Sequence, residues 1–183
     1  MIDELDELTG LVSDVVELAR GSKPGTEMGD VRVDQIVGHA VARTHRRAPA
    51  MEVQEDVEPT LVHGDADRIA RAVANLLDNA VKWSPPEGTI EVTLNGGTLT
   101  VRDHGPGFRE EDLPFVFDRF HRAKTARSKP GSGLGLAIVR QAAEAHGGTA
   151  EASNAPDGGA IIRVSFGPKL SQPIDTPQPL STS

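Results

Sequence analysis

Ile2, Leu5, Leu8, Val12, Val15, Val16 and Ala19 recur at three- and four-residue steps, which predicts a helix over residues 2–19. The stripe is narrow and close to a coiled-coil seam, so this helix calls for another helix as its partner. A Gly/Pro/Ser stretch over 21–29 breaks the pattern and marks a boundary. Asp34 is placed to cap a helix running to about Arg47, and short strands are expected over 51–55 and 60–63. Asp65 caps a further helix over 66–83, which Pro85 and Pro86 end. Ile90, Val92 and Leu94 alternate, as do Leu99 and Val101, and Asn95-Gly96-Gly97 between them reads as a hairpin turn. Residues 109–131 are charged and contain Pro and Gly, which predicts a long mobile loop with a short helical piece near 115–120. A last helix is expected from Gly133 to about His146, closed by Gly147 and Gly148. A final hairpin over 150–153 and Ile162, Val164 and Phe166 turns around Asp157-Gly158-Gly159.

Helices segregated against a mostly antiparallel sheet predict an α+β fold, a two-layer α/β sandwich. The expected layout is a helix end over 1–20, a linker over 21–30, one domain over 31–167 and a disordered Pro/Ser/Thr-rich tail over 168–183.

Composition narrows the picture. The length of 183 residues suits one domain with some chain left over. Aromatics make up only 3%, so the core has to be Val, Leu, Ile and Ala. A net charge of −8 argues against nucleic acid as a partner. With no cysteine, disulfides, thiol catalysis and thiolate metal sites are excluded. No apolar run approaches the ~18 residues of a membrane span, and the acidic N-terminus does not read as a secretory signal.

Four segments carry candidate chemistry. In Asn75-Leu76-Leu77-Asp78-Asn79-Ala80-Val81-Lys82, the residues Asn75, Asn79 and Lys82 share one helix face beside the apolar stripe of Ile69, Val73, Leu76, Leu77 and Ala80. Two amide oxygens one turn apart can ligate a hard cation, and Lys82 adds a point charge for phosphate. Taken alone, the same pattern fits a solvated helix face equally well. Asp103 shares parity with Leu99 and Val101, so it points into the core and needs a donor, which an adenine amino group would supply. The Gly105-Pro106-Gly107 turn after it lets backbone approach a flat base; alone, it is equally a strand-end turn. Phe117, Phe120 and Arg122 lie in the charged loop, where aromatics can anchor a lid and Arg122 can meet a terminal phosphate, or where they form a small satellite cluster. Gly131, Gly133 and Gly135 open the last helix, whose free N–H groups favour phosphate; a flexible loop meeting a helix reads the same way in isolation.

In this order the four segments resemble the N, G1, F and G2 boxes of the catalytic and ATP-binding domain of sensor histidine kinases, within the larger group that includes gyrase, Hsp90 and MutL-type ATPases. The resemblance covers about 31–166 and implies the Bergerat α/β sandwich, a mixed sheet with helices on one face and a mobile ATP lid between the glycine motifs. It implies ATP and Mg2+ as ligands, with Asn75 and Asn79 carrying the metal and Lys82 and Arg122 contacting phosphates. Asp103 would receive the adenine amino group beside Gly105 and Gly107, and Gly131, Ser132, Gly133, Leu134 and Gly135 would line the phosphate side. Trp83 stands where the family often has an aromatic residue. Residues 11–20 resemble the end of the second helix of a dimerisation and phosphoacceptor domain, and the Phe box and the last glycine helix look actinobacterial. The implied partners are that phosphoacceptor domain and a response regulator, with the parent protein a membrane-bound homodimer.

The family's phosphoacceptor motif, His-Glu-x-Arg/Lys-x-Pro, is missing. None of His39, His45, His63, His104, His121 and His146 has that setting, so the chain reads as a fragment without its own substrate histidine. Water-splitting relatives place a Glu one turn before the metal-binding Asn; here that position is Asn75, a neutral amide that cannot accept a proton at pH 7. A histidine kinase is therefore favoured over a gyrase- or Hsp90-like ATPase, an anti-sigma serine kinase or an inactive nucleotide-binding module.

Overall fold

The computed structural model describes residues 27–121 and 132–171. The helix expected over 2–19, Arg122, Gly131, the basic middle of the lid and most of the C-terminal tail lie outside the described residues.

The described chain begins with β1 (Gly29–Arg32) and α1 (Val33–Arg47). Next come β2 (Glu52–Val57), β3 (Leu61–Gly64) and α2 (Ala66–Trp83). A hairpin of β4 (Thr89–Asn95) and β5 (Thr98–Asp103) leads into a loop with one 3₁₀ turn at Leu113–Phe115. Then α3 (Gly135–Ala145) is followed by β6 (Ala150–Asn154) and β7 (Ala160–Ser165).

Five strands form a mixed sheet in the order β2-β4-β5-β7-β6, with β2 and β4 parallel and every other pair antiparallel. Register places Val92 opposite Val101 and Leu94 opposite Leu99, and Val101 in turn opposite Ile162. These residues form one buried face, against which the stripes of α1 and α2 and part of α3 pack. The stripe of α2 is buried throughout at Ile69, Ala72, Val73, Leu76, Leu77 and Ala80. Each such Leu or Val contributes roughly 1.5–3 kcal/mol on leaving water. Phe166 is the large aromatic of this core, as the scarcity of aromatics requires.

Several expectations are corrected. β1 pairs with β3 as a separate two-stranded ribbon, so Gly29 and Asp30, within the stretch read as linker, are strand residues. Asp34 does not cap α1: the cap position is Arg32, and the Asp34 carboxylate instead accepts from Arg32 at 2.6 Å and from the Thr60 N–H at 3.0 Å. The guanidinium bond holds Asp34 below the usual carboxylate range. The strands expected over 51–55 and 60–63 run one residue later at their starts. The helical piece in the loop is a single 3₁₀ turn ending at Phe115, earlier than expected because Pro114 suits a first turn. α3 starts at Gly135, since Gly133 has a φ of 74°. The start of the tail is not loose, because the Leu170 N–H donates to the Leu61 carbonyl at 2.7 Å and Lys169 pairs with Glu58 at 3.6 Å.

Candidate nucleotide site

The Asp65 carboxylate accepts the Arg68 N–H at 3.0 Å and starts α2 as its sequence predicts. From there α2 acts as a spine that meets both glycine motifs. Midway along it, the Asn75 amide donates through Nδ2 to the Arg71 carbonyl at 3.0 Å. This leaves Oδ1 turned to the start of α3, where a Cβ on Gly135 would lie 3.0 Å from it. Eight residues further on, the Trp83 carbonyl lies directly against Gly105; a side chain there would collide with it. The two contacts are roughly 12 Å apart along the helix. The Asn box, the first glycine motif and the second are thus gathered along one helix.

Asn75 Oδ1 has no hydrogen-bond partner among the described residues, and the half-buried Asn79 amide, whose Nδ2 is fully buried, has none either. Asn79 Nδ2 is a donor and cannot ligate a cation, whereas the oxygens Asn75 Oδ1 and Asn79 Oδ1 are acceptors. Among the described residues no three His, Asp or Glu side chains gather as a metal site. Two amide oxygens one helical turn apart, Asn75 Oδ1 and Asn79 Oδ1, are of the donor type that could hold a divalent cation shared with phosphate and water. Lys82 Nζ lies 5.3 Å from the Trp83 ring centroid, so both residues sit at the end of α2.

Asp103 is buried at the end of β5, as its parity predicts. Its Oδ1 accepts from the Gly105 N–H at 2.9 Å and the Ala160 N–H at 3.1 Å. These bonds fix the carboxylate as an acceptor, and Oδ2 has no partner among the described residues. A group that meets Oδ2 must bring a donor. Gly107 has a φ of 72° and packs on Asn154, whose amide binds both backbone groups of Phe108. Asn154 belongs to none of the four motifs, and no sequence signal marked it.

The two described ends of the loop over 109–131 meet. The Phe120 N–H donates to the Gly133 carbonyl at 3.1 Å, and the Ser132 hydroxyl accepts the Leu134 N–H at 3.1 Å just before α3. Phe117 packs against the core, but Phe120 is 63% exposed with a φ of 61°, so of the two expected anchors only Phe117 is one. At the far end of α3, the buried His146 donates through Nδ1 to the Ala142 carbonyl at 2.6 Å and accepts the Asp65 N–H through Nε2 at 2.9 Å. This joins the end of α3 to the start of α2. Sequence reading passed over His146 because a lone histidine at a helix end carries no pattern.

Residues 64–170, more than half of the chain, match the model of the histidine kinase-, DNA gyrase B-, and HSP90-like ATPase family. The chain belongs to this family. Within it, the similarity is to sensor histidine kinases of actinobacterial type. The chain is 42% identical over 171 residues to the signal transduction histidine-protein kinase/phosphatase MprB of Mycobacterium sp. (strain KMS), a match covering 91% of this chain and 33% of that protein. The protein of the same name from Mycobacterium avium (strain 104) is 39% identical over the same shares. The chain spans about a third of the length of the curated relatives it matches. Among solved structures it resembles a mycobacterial sensor histidine kinase MprB, at 38% identity and a TM-score of 0.70 over 76% of this chain and 99% of that one. It also resembles the ATP binding domain of PrrB from Mycobacterium tuberculosis, at 27% identity and a TM-score of 0.62 over 79% of this chain and 98% of that one. The family's ATPase-type sandwich is the fold expected from the sequence, and no described helix is long and apolar enough to cross a membrane.

Proposed function

We propose that this chain binds Mg-ATP and transfers the γ-phosphoryl group to a histidine of a separate phosphoacceptor domain, from which it passes to a response regulator. The observation that carries this reading is the Asn75 amide at the mouth of α3. It is a metal-competent oxygen beside a phosphate-competent helix start, at the place where a water-splitting enzyme needs a carboxylate. The Asp78 carboxylate of the same helix is occupied by Arg43 and Arg47 at 3.0 and 3.4 Å.

In this reading Asp103 receives the adenine amino group through Oδ2, with Gly105, Gly107 and Trp83 bordering the base. Asn75 and Asn79 hold Mg2+, which when bound screens charge between the phosphates. Lys82 and Arg122 contact phosphate oxygens, and Gly131, Ser132, Gly133, Leu134 and Gly135 line the phosphate side. An imidazole nitrogen of the acceptor attacks the γ-phosphorus, and the bond to the β–γ bridging oxygen breaks. ADP leaves with that electron pair, and the imidazole proton goes to solvent. The protein's share is positioning and charge compensation, since a neutral imidazole needs little activation. Residues 1–20 belong to the helical dimerisation domain, and the parent protein is a membrane-bound homodimer with this domain on the cytoplasmic side.

The test is γ-radiolabelled ATP. The chain alone stays unlabelled, and acid-labile label appears on an added phosphoacceptor domain, with weak affinity because no linker raises its effective concentration. Label on the chain alone contradicts the reading of its histidines. Brisk hydrolysis without an acceptor favours an ATPase.

A further inference from the structure

The β6–β7 hairpin lies outside all four motifs, yet it is fastened to the base side of the site at three places. Arg102 of β5 pairs with Asp157 of the hairpin turn at 2.6 Å. The Ala160 N–H donates to Asp103 Oδ1 at 3.1 Å. Asn154, the last residue of β6, accepts the Phe108 N–H through Oδ1 at 2.7 Å and donates through Nδ2 to the Phe108 carbonyl, also at 2.7 Å. One planar amide thereby satisfies both backbone groups of a single loop residue. Gly107, next to it, is fitted to the same side chain: a Cβ there would lie 2.7 Å from Asn154 Oδ1. At the other end of the turn, Gly105 is held by Asp103 Oδ1 at 2.9 Å. The turn is thus pinned at both ends, once by Asp103 itself and once by Asn154.

We propose that Asn154 is a positioning residue for the nucleotide base: it holds the Gly105–Gly107 turn beside Asp103 and thereby sets nucleotide affinity without touching the ligand. This rests on Asp103 being the base acceptor. The amide suits the task because its oxygen and nitrogen meet a backbone donor and acceptor at once. An aspartate keeps the first of these bonds but turns the second into a contact between two acceptors, and an alanine keeps neither.

The experiment compares Asn154→Ala and Asn154→Asp with the parent chain, measuring affinity for ATP and for adenosine by calorimetry and folding by thermal unfolding. The expected result for Asn154→Ala is a loss of about five- to twenty-fold, equal for both ligands, because the two lost bonds act on the base alone. Asn154→Asp keeps the shape of the asparagine yet loses affinity as well, because a carboxylate oxygen then opposes the Phe108 carbonyl, and a loss in this isosteric variant is something a packing role would not give. A folded Asn154→Ala chain with affinities within about two-fold of the parent overturns the proposal. So does a loss seen with ATP but not with adenosine. Should Asn154→Ala not fold, parent-like affinity in Asn154→Asp overturns it equally. Asp103→Asn separates the two layers: if it is also silent, the base is not at Asp103 and both readings fall, whereas if it abolishes binding while Asn154→Ala is silent, only the clamp falls.

Discussion

Asp103 Oδ1 already holds two backbone N–H groups, and Asn154 already binds both backbone groups of Phe108. On the helix pair the situation is reversed, because Asn75 Oδ1 and the Asn79 amide have no partner among the described residues. The base side of the site is built from internal bonds and carries its shape without ligand. The α2–α3 side presents unsatisfied groups whose partners have to arrive. A bonded turn with one open carboxylate oxygen, Asp103 Oδ2, on one side and two unmet amides on the other divide the work between recognising the base and holding a charged phosphate chain with its cation.

The contrast can be broken at either side. Gly105→Ala has the largest expected effect, because its Cβ would run into the Trp83 carbonyl. Backbone there cannot swing away as a flexible side chain can, so unfolding should show a loss of about 1–3 kcal/mol, together with loss of adenosine binding. Gly135→Ala serves as its counterpart: its Cβ meets a side-chain amide at 3.0 Å, so adenosine affinity should stay while Mg-ATP affinity falls about two- to five-fold.

His146→Ala sharpens the helix side. It leaves the Asp65 N–H and the Ala142 carbonyl without their partner, and a loss of about 1–3 kcal/mol in chemical denaturation is expected. Unchanged stability would show that α3 is held to α2 by its apolar stripe alone.

The smallest effect is on pH dependence. The Arg102 bond lowers the Asp157 carboxyl below its ordinary value of 3.8. A lowered folded value means that the stabilisation is complete above 3.8 and is lost as pH falls from there through the folded value. Asp157 is exposed, so the contribution is screened and small. Asp157→Asn should lower the neutral plateau slightly and converge with the parent chain at the acid end of a stability profile, where Asp157 is protonated. An identical profile in parent and variant would remove this ion pair from the base-side buttress.

Sequence pattern was most legible where local chemistry and tertiary need agree. α2 runs from the residue after its Asp65 cap to just before Pro85, and Asp103 is buried because it keeps step with Leu99 and Val101. β1 was missed because four residues, Gly29–Arg32, are too short to show a period. β2 is an edge strand, Glu52–Val57, whose charges protect its open side and hide the alternation. Asp34 looked like a cap, but its carboxylate serves Arg32 and Thr60 instead. Asn154 and His146 are legible only in three dimensions, since each acts on a backbone group 46 or 81 residues away.

The most direct measurement of the two-sided account is calorimetry of adenosine and ATP, each with Mg2+ and with a chelator, on the parent chain and on Asn79→Ala. Adenosine is expected to bind equally well in all four settings. ATP should gain at least about ten-fold from Mg2+ in the parent chain, and that gain should vanish in Asn79→Ala. A Mg2+ gain that survives in Asn79→Ala, or an adenosine affinity that follows the metal, would contradict the two-sided account.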